Sequence, residues 1–342
     1  MSCSDEYESH NTEDNLIQIT PQIKSKLQKA KYGVYNHSAV ELCHWTKKSF
    51  ANQGDCYKHK FYGIATHRCM EMTPAAMNCE NRCIYCWRPT EFYDTLNMPT
   101  DLVDEPDIIV EHLIAERKKL INGFYGHSKN DKKRLDESLL PSHYAISLSG
   151  EPTMYPKLPQ LIKYLKSLSE TRSIFLVTNG QEPHMLERLA DEEALPTQLY
   201  LSTNACNKRM FHQINRPRYK NAWERWWESL HFIAKAKTRT VVRITLIRNY
   251  NESPKYMPEF ADILSQGNPH FVELKSYMNI GMSTNRLKKN DMLEMEEVKF
   301  FATGLNGLMP AFSLMDESEI SRIVVLQNQR RYVERMINFA GS

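Results

Sequence analysis

The chain has 342 residues, 41% of them apolar and 25% charged, which is enough for one large core or two domains. No run of about 18 apolar residues occurs, so a membrane-spanning helix is not expected. A net charge of +3 with 12 histidines permits an anionic partner without demanding one.

The opening segment, MSCSDEYESHNTEDN, is polar and acidic. It has neither an apolar period nor the apolar core of a secretory signal, so disorder and a cytoplasmic location with reduced thiols are expected. A helix is expected over 21–33, starting at Pro21. Short apolar runs then predict strands at 68–73, 144–149, 173–178, 198–203, 240–248 and 271–276. Helical spacing between and after them predicts helices at 106–122, 157–169, 182–191, 221–237 and 256–265. Strands alternating with helices imply βαβ units and a parallel sheet. The expected fold class is α/β, a partial (β/α)6 barrel or an open sheet of the same strands. The chain divides into a polar tail and short helix at 1–37, a barrel at 38–285 and a C-terminal extension at 286–342. That extension carries one helix near 293–305 and a strand at 322–326.

Strand periodicity puts Val241, Arg243, Thr245 and Ile247 on one face. Phe271, Glu273 and Lys275 share another, as do Tyr200, Ser202 and Asn204. Buried parallel strands are normally almost continuously apolar. Polar groups on these faces point to a cavity for a polar ligand, or to ordinary satisfied residues near strand ends.

Six of the eight cysteines fall between positions 43 and 86. Cys79, Cys83 and Cys86 form C-x3-C-x2-C in the run CENRCIYCW, while Cys43, Cys56 and Cys69 recur every 13 residues. A closed zinc site wants four ligands. Three thiolates without a fourth suit an iron–sulfur cluster with one iron left open. Cys3 reads as a tail residue and Cys206 as a loop or core thiol.

C-x3-C-x2-C after a first strand, followed by an α/β barrel pattern, resembles the radical S-adenosylmethionine (SAM) superfamily. The resemblance implies that Cys79, Cys83 and Cys86 bind a [4Fe–4S] cluster whose open iron chelates SAM. One electron then cleaves SAM to methionine and a 5′-deoxyadenosyl radical, the cofactor supplying the hard chemistry. Tyr85 occupies the position expected near the adenine. Gly150, Glu151 and Pro152, in LSGEPTMYP, correspond to the turn that binds the SAM amino group. Thr178, Asn179, Ser202 and Asn204 end later strands, where ligands of α/β barrels bind; they are candidate SAM contacts or turn formers. Arg243 could meet the SAM carboxylate or pair with Glu273.

GDCYKHKFYGIATHRCMEMTPAAMNCENRCIYCWRPTE and KSYMNIGMSTNRL narrow the resemblance, over roughly 40–330, to the wyosine-forming tRNA enzymes. That family implies a second [4Fe–4S] cluster on Cys43, Cys56 and Cys69 in an N-terminal segment. The substrates implied are tRNA with N1-methylguanosine beside the anticodon, and pyruvate. The radical takes hydrogen from the N-methyl group, the carbon radical adds to C2 of pyruvate, the C1 carboxylate is lost and the tricycle closes. A carbon–carbon lyase is therefore expected. The open iron of that second cluster could chelate pyruvate, and Lys58, two residues after Cys56, corresponds to a lysine that can condense with the ketone. Asp55 could pair with it or stay exposed. The flavodoxin-like domain of fused members is not recognised, so a separate flavodoxin or ferredoxin donor is expected, and a monomer. Basic runs at Lys129–Arg134, Arg216–Lys220 and Arg286–Lys289 are candidate phosphate contacts, and Trp87 could stack on a base. Trp223, Trp226 and Trp227 read as one packed helix face. Two rival readings are another radical SAM tRNA enzyme with an auxiliary cluster, and a zinc-binding RNA adaptor.

Overall fold

Period-two alternation in the central segments builds a ten-stranded sheet among the described residues, which are 16–93 and 96–337 of this computed structural model. The strands are β1 (Tyr32–Tyr35), β2 (Ser38–Glu41), β3 (Cys69–Thr73), β4 (His143–Ile146) and β5 (Ser173–Thr178), then β6 (Gln198–Ser202), β7 (Arg239–Leu246), β8 (Phe271–Ser276), β9 (Phe312–Ser318) and β10 (Ile323–Asn328). From β3 to β8 every neighbour is parallel and follows chain order. This is the expected partial barrel of six strands. β2 and β1 extend it antiparallel beyond β3, and β10 and β9 extend it antiparallel beyond β8.

Each parallel strand shows different residues to its two sides. Ile174, Leu176, Leu199, Leu201, Val242 and Val272 point outward into the core shared with the surrounding helices. Phe175, Tyr200, Val241, Phe271 and Val325 point inward, onto Tyr57, Phe61 and Tyr62 of a short helix, Tyr57–Tyr62. That helix plugs the end of the barrel where the parallel strands start. The space toward their C-terminal ends is left for polar side chains.

The short helix and its neighbour His44–Phe50 were not expected from the sequence. Each is a turn or two long, too short for a 3.6-residue period to register. The helix expected over 21–33 stops at Lys29, because Lys31 turns with φ +68° and β1 follows. Trp223, Trp226 and Trp227 do pack together, with Trp223 and Trp226 stacked at 5.1 Å. Trp226 is fully buried and donates its Nε1–H to Ser202 O at 3.1 Å. Trp226→Ala should lower the unfolding free energy by about 3–5 kcal/mol, measured by denaturant titration.

Candidate active site

The two cysteine triplets are joined through β3. Cys69 begins the strand, and the loop carrying Cys79, Cys83 and Cys86 follows its end. Four residue steps of roughly 3.3 Å make the strand itself about 13 Å long.

The upper loop is held by backbone pairing with the end of helix Lys208–Asn215 and the residues just after it. Ile84 N–H donates to Ile214 O at 2.9 Å, Arg82 N–H to Asn215 O at 3.1 Å, and Arg218 N–H to Glu80 O at 2.9 Å. On its other side the loop lies on the Ser149–Pro152 turn. Glu151 N–H donates to Asn78 O at 2.7 Å. Gly150 has φ +67°, and a Cβ there would stand 1.8 Å from Ala75 O. Only glycine fits. What approaches this glycine is the backbone leading into the cysteine loop. Arg286, expected at an RNA surface, instead donates to Cys86 O, to Ile84 O at 3.2 Å and to Glu91. It clamps the loop.

The candidate SAM-contact residues gather around this loop and largely hold one another. Glu151 accepts from Thr153 Oγ1 at 2.6 Å and from Asn179 N–H at 2.8 Å. Asn179 Nδ2 lies 3.6 Å from Cys79 Sγ and donates to Glu80 Oε2 at 3.1 Å. Asn204 Nδ2 donates to Tyr85 Oη at 2.6 Å, so two residues singled out separately touch. Thr178 Oγ1 accepts from Gly180 N–H at 3.0 Å, a turn-forming contact. Pro152 is buried and opens a single 3-10 turn, and Ser202 is half-buried at the end of β6. Arg243 stands apart. Its Nε donates to Glu273 at 2.8 Å and its Nη2 to Tyr57 Oη at 2.7 Å, so the guanidinium takes the bridging alternative, deep in the barrel.

Local structure also explains the 13-residue spacing of the lower triplet. Cys43 caps helix His44–Phe50, its Sγ accepting from Thr46 N–H at 3.4 Å. Cys56 caps helix Tyr57–Tyr62, and its N–H donates to Thr66 Oγ1 at 3.1 Å. Lys58 is 8% exposed, with Nζ 4.4 Å from the ring centre of Phe175 and 5.1 Å from that of Tyr200. Asp55 lies 3.8 Å from Arg134 and not against Lys58.

All seven described cysteines are free thiols; Cys3 lies outside the described residues. Burial raises every thiol of both triplets. Cys43 is pushed up to about 11 by burial and then by Glu71, Cys69 to about 12 by burial and then by Cys43, and Cys83 to about 12 by burial and then by Cys86. Within each set the thiols thus feel one another's charge. Cys206 is also buried, beside Met210 in the core.

Among the described residues no three His, Cys, Asp or Glu side chains converge closely enough to hold one metal ion. Cys79 is buried and the other five triplet cysteines are half-buried; three thiols without a fourth suit a cubane with one iron left open. In the upper loop Glu80 Oε1 and both side-chain polar atoms of Asn81 are buried without a hydrogen-bond partner. Such atoms are unusual in a finished interior, and they fit a site completed by a polar group. Near the lower triplet, fully buried Arg117 donates to His67 O at 3.0 Å and keeps Nη1 unpartnered. Sequence reasoning missed Glu80 and Arg117. Glu80 carried one signal, a charge between two ligand cysteines.

Residues 75–261 match the family model "Radical SAM superfamily", and residues 266–328 match "Wyosine base formation". The chain is 40% identical over 307 residues to an S-adenosyl-L-methionine-dependent tRNA 4-demethylwyosine synthase of Pyrococcus abyssi, covering 89% of this chain and 88% of the relative. It is 39% identical to the enzyme of the same name from Methanocaldococcus jannaschii, covering 92% and 98%. The solved structure of TYW1 with a lysine–pyruvate adduct bound superposes with a TM-score of 0.83 at 36% identity, covering 93% of this chain and 99% of that one. Sequence, fold and cysteine pattern agree: the chain belongs to the S-adenosyl-L-methionine-dependent tRNA 4-demethylwyosine synthase family of the radical SAM superfamily.

Proposed function

We propose that this enzyme condenses N1-methylguanosine, beside the anticodon of tRNA, with pyruvate to give 4-demethylwyosine. The observation that carries the reading is a buried lysine head placed between the aromatic inner wall and a second thiol triplet. The family membership supports it, as does a similar solved chain bearing a lysine–pyruvate adduct.

Cys79, Cys83 and Cys86 would hold a [4Fe–4S] cluster, with SAM beside it. When bound, that pair supplies a 5′-deoxyadenosyl radical after one-electron cleavage of the sulfonium. The Asn179 amide, against Cys79, and the Tyr85–Asn204 pair shape the ligand space next to the loop. Cys43, Cys56 and Cys69 would hold a second [4Fe–4S] cluster. Arg117 places a positive charge beside those thiolates.

Lys58 binds the keto acid by attack of its neutral amine nitrogen on C2, with loss of water to the imine. The rings of Phe175 and Tyr200 keep bulk water away from that bond. The methylated guanine enters from the open end of the barrel, where Trp87, 38% exposed, offers a face for a base. The phosphate backbone outside is met by lysine and arginine side chains. Electrons come from a separate donor of flavodoxin or ferredoxin type, and the enzyme works as a cytoplasmic monomer. No helix of the described residues is long and apolar enough to cross a membrane.

Cys83→Ala should lose about half of the reconstituted iron and all 5′-deoxyadenosine formation, read by iron assay and chromatography. Cys56→Ala should also lose about half of the iron, yet keep SAM cleavage uncoupled from tricycle formation. Lys58→Ala should retain full iron while product on methylated tRNA falls by at least about 100-fold; normal turnover would refute the imine. Gly150→Ala should displace the cysteine loop, so that iron at the upper triplet falls while iron at the lower triplet stays, a split visible in electron paramagnetic resonance spectra.

A further inference from the structure

Two lysine head groups occupy the lower interior of the barrel, and the reading above employs one. Lys275 projects inward from β8, on the same face as Phe271 and Glu273. It is half-buried, and its Nζ lies 5.6 Å from the ring centre of Tyr57, the residue between Cys56 and Lys58.

Neither lysine has a carboxylate within ion-pairing distance among the described residues. Glu273 is nearest to Lys275 along the strand, but its oxygens are taken. Oε1 accepts from Tyr62 at 2.8 Å and from Tyr200 at 3.2 Å, and Oε2 accepts from Arg243 at 2.8 Å. Glu71, facing the same interior from β3, accepts from Arg88 at 3.3 Å. A partly buried cation with no carboxylate to pair with is costly, and a ligand carboxylate can complete the pair.

We infer that Lys275 receives the C1 carboxylate of the keto acid while Lys58 condenses with its C2 carbonyl. This rests on the reading that a keto acid is bound beside the second thiol triplet, and it adds what selects that acid. A 2-keto acid carries its anion one bond from its ketone. Two lysines entering one space, one from the plug helix and one from β8, match that pair of groups. A neutral ketone would satisfy only Lys58.

The test uses the reconstituted full chain, borohydride trapping and peptide mass analysis of the adduct on Lys58. Wild type should trap pyruvate at much lower concentration than methyl pyruvate, whose carboxylate is masked. Lys275→Met should raise the half-saturating pyruvate concentration by about 10–100-fold, the range of one charge-assisted hydrogen bond. It should leave methyl pyruvate unchanged, so the preference collapses, and Lys275→Arg should restore part of it. Iron content and circular dichroism check that each variant is folded. Should Lys275→Met fail to fold, Lys275→Gln takes its place in the same comparison of the two ketones. Equal trapping of both by wild type, or unchanged pyruvate trapping by a folded Lys275→Met, overturns the inference and leaves the Lys58 imine standing. No pyruvate adduct on wild-type Lys58 overturns both.

Discussion

One buried carboxylate organises the lower half of the barrel. Glu273 is fully inaccessible and is satisfied by Arg243, Tyr62 and Tyr200, with Tyr57 Oη at 3.5 Å. These donors come from β7, β6 and the plug helix, and Glu273 itself from β8. A single group therefore fastens the helix bearing Cys56 and Lys58 to three strands of the wall. Taking away one partner of such a buried pair typically costs about 3–5 kcal/mol, because the other is left uncompensated. The interaction fixes where the lysine sits more than how stable the fold is.

The upper half depends on close backbone contact instead. The cysteine loop rests on the Gly150 turn on one side and pairs with residues 214–218 on the other, with Arg286 reaching over it from the far end of the chain. Three thiols are presented by a loop that has almost no secondary structure of its own. Its order is borrowed from the ends of β4 and helix Lys208–Asn215. The two halves thus follow different strategies around one interior: a charged hydrogen-bond hub below, a tightly seated loop above.

The parallel strands are legible in the sequence because each is an apolar run followed by a helix; β5 and β8 coincide with the expected 173–178 and 271–276. β1 and β2, four residues each, offer too little alternation to be read. Both cysteine groups stand out from their spacing, which reads as metal-ligand spacing more than as a disulfide framework. What sequence could not assign is which of two partners a polar residue takes. Arg243 had a ligand and a glutamate to choose from, and the register Arg243↔Glu273 between β7 and β8 puts the glutamate at its side. Arg286 reads as part of a basic run, yet a fold contact some two hundred residues back in the chain engages it. Such choices depend on tertiary distance, which local periodicity does not carry.

The antiparallel strands added at both flanks have an effect on colloidal behaviour. An open sheet ends in unpaired amides and carbonyls that can template another chain. Here β1 is overlaid by helix Pro106–Asn122, so closely that a Cβ on Gly33 would fall 2.5 Å from Glu116 Cβ. At the opposite margin β9 carries Asp316 and Glu317, with Lys60 donating to the Glu317 carbonyl at 2.6 Å and Arg335 pairing with Asp316 at 3.0 Å. A second molecule would meet a strand of only four residues on one side and a charged, partly occupied margin on the other. The incomplete barrel can therefore leave its seam open for a large substrate without inviting edge-to-edge self-association.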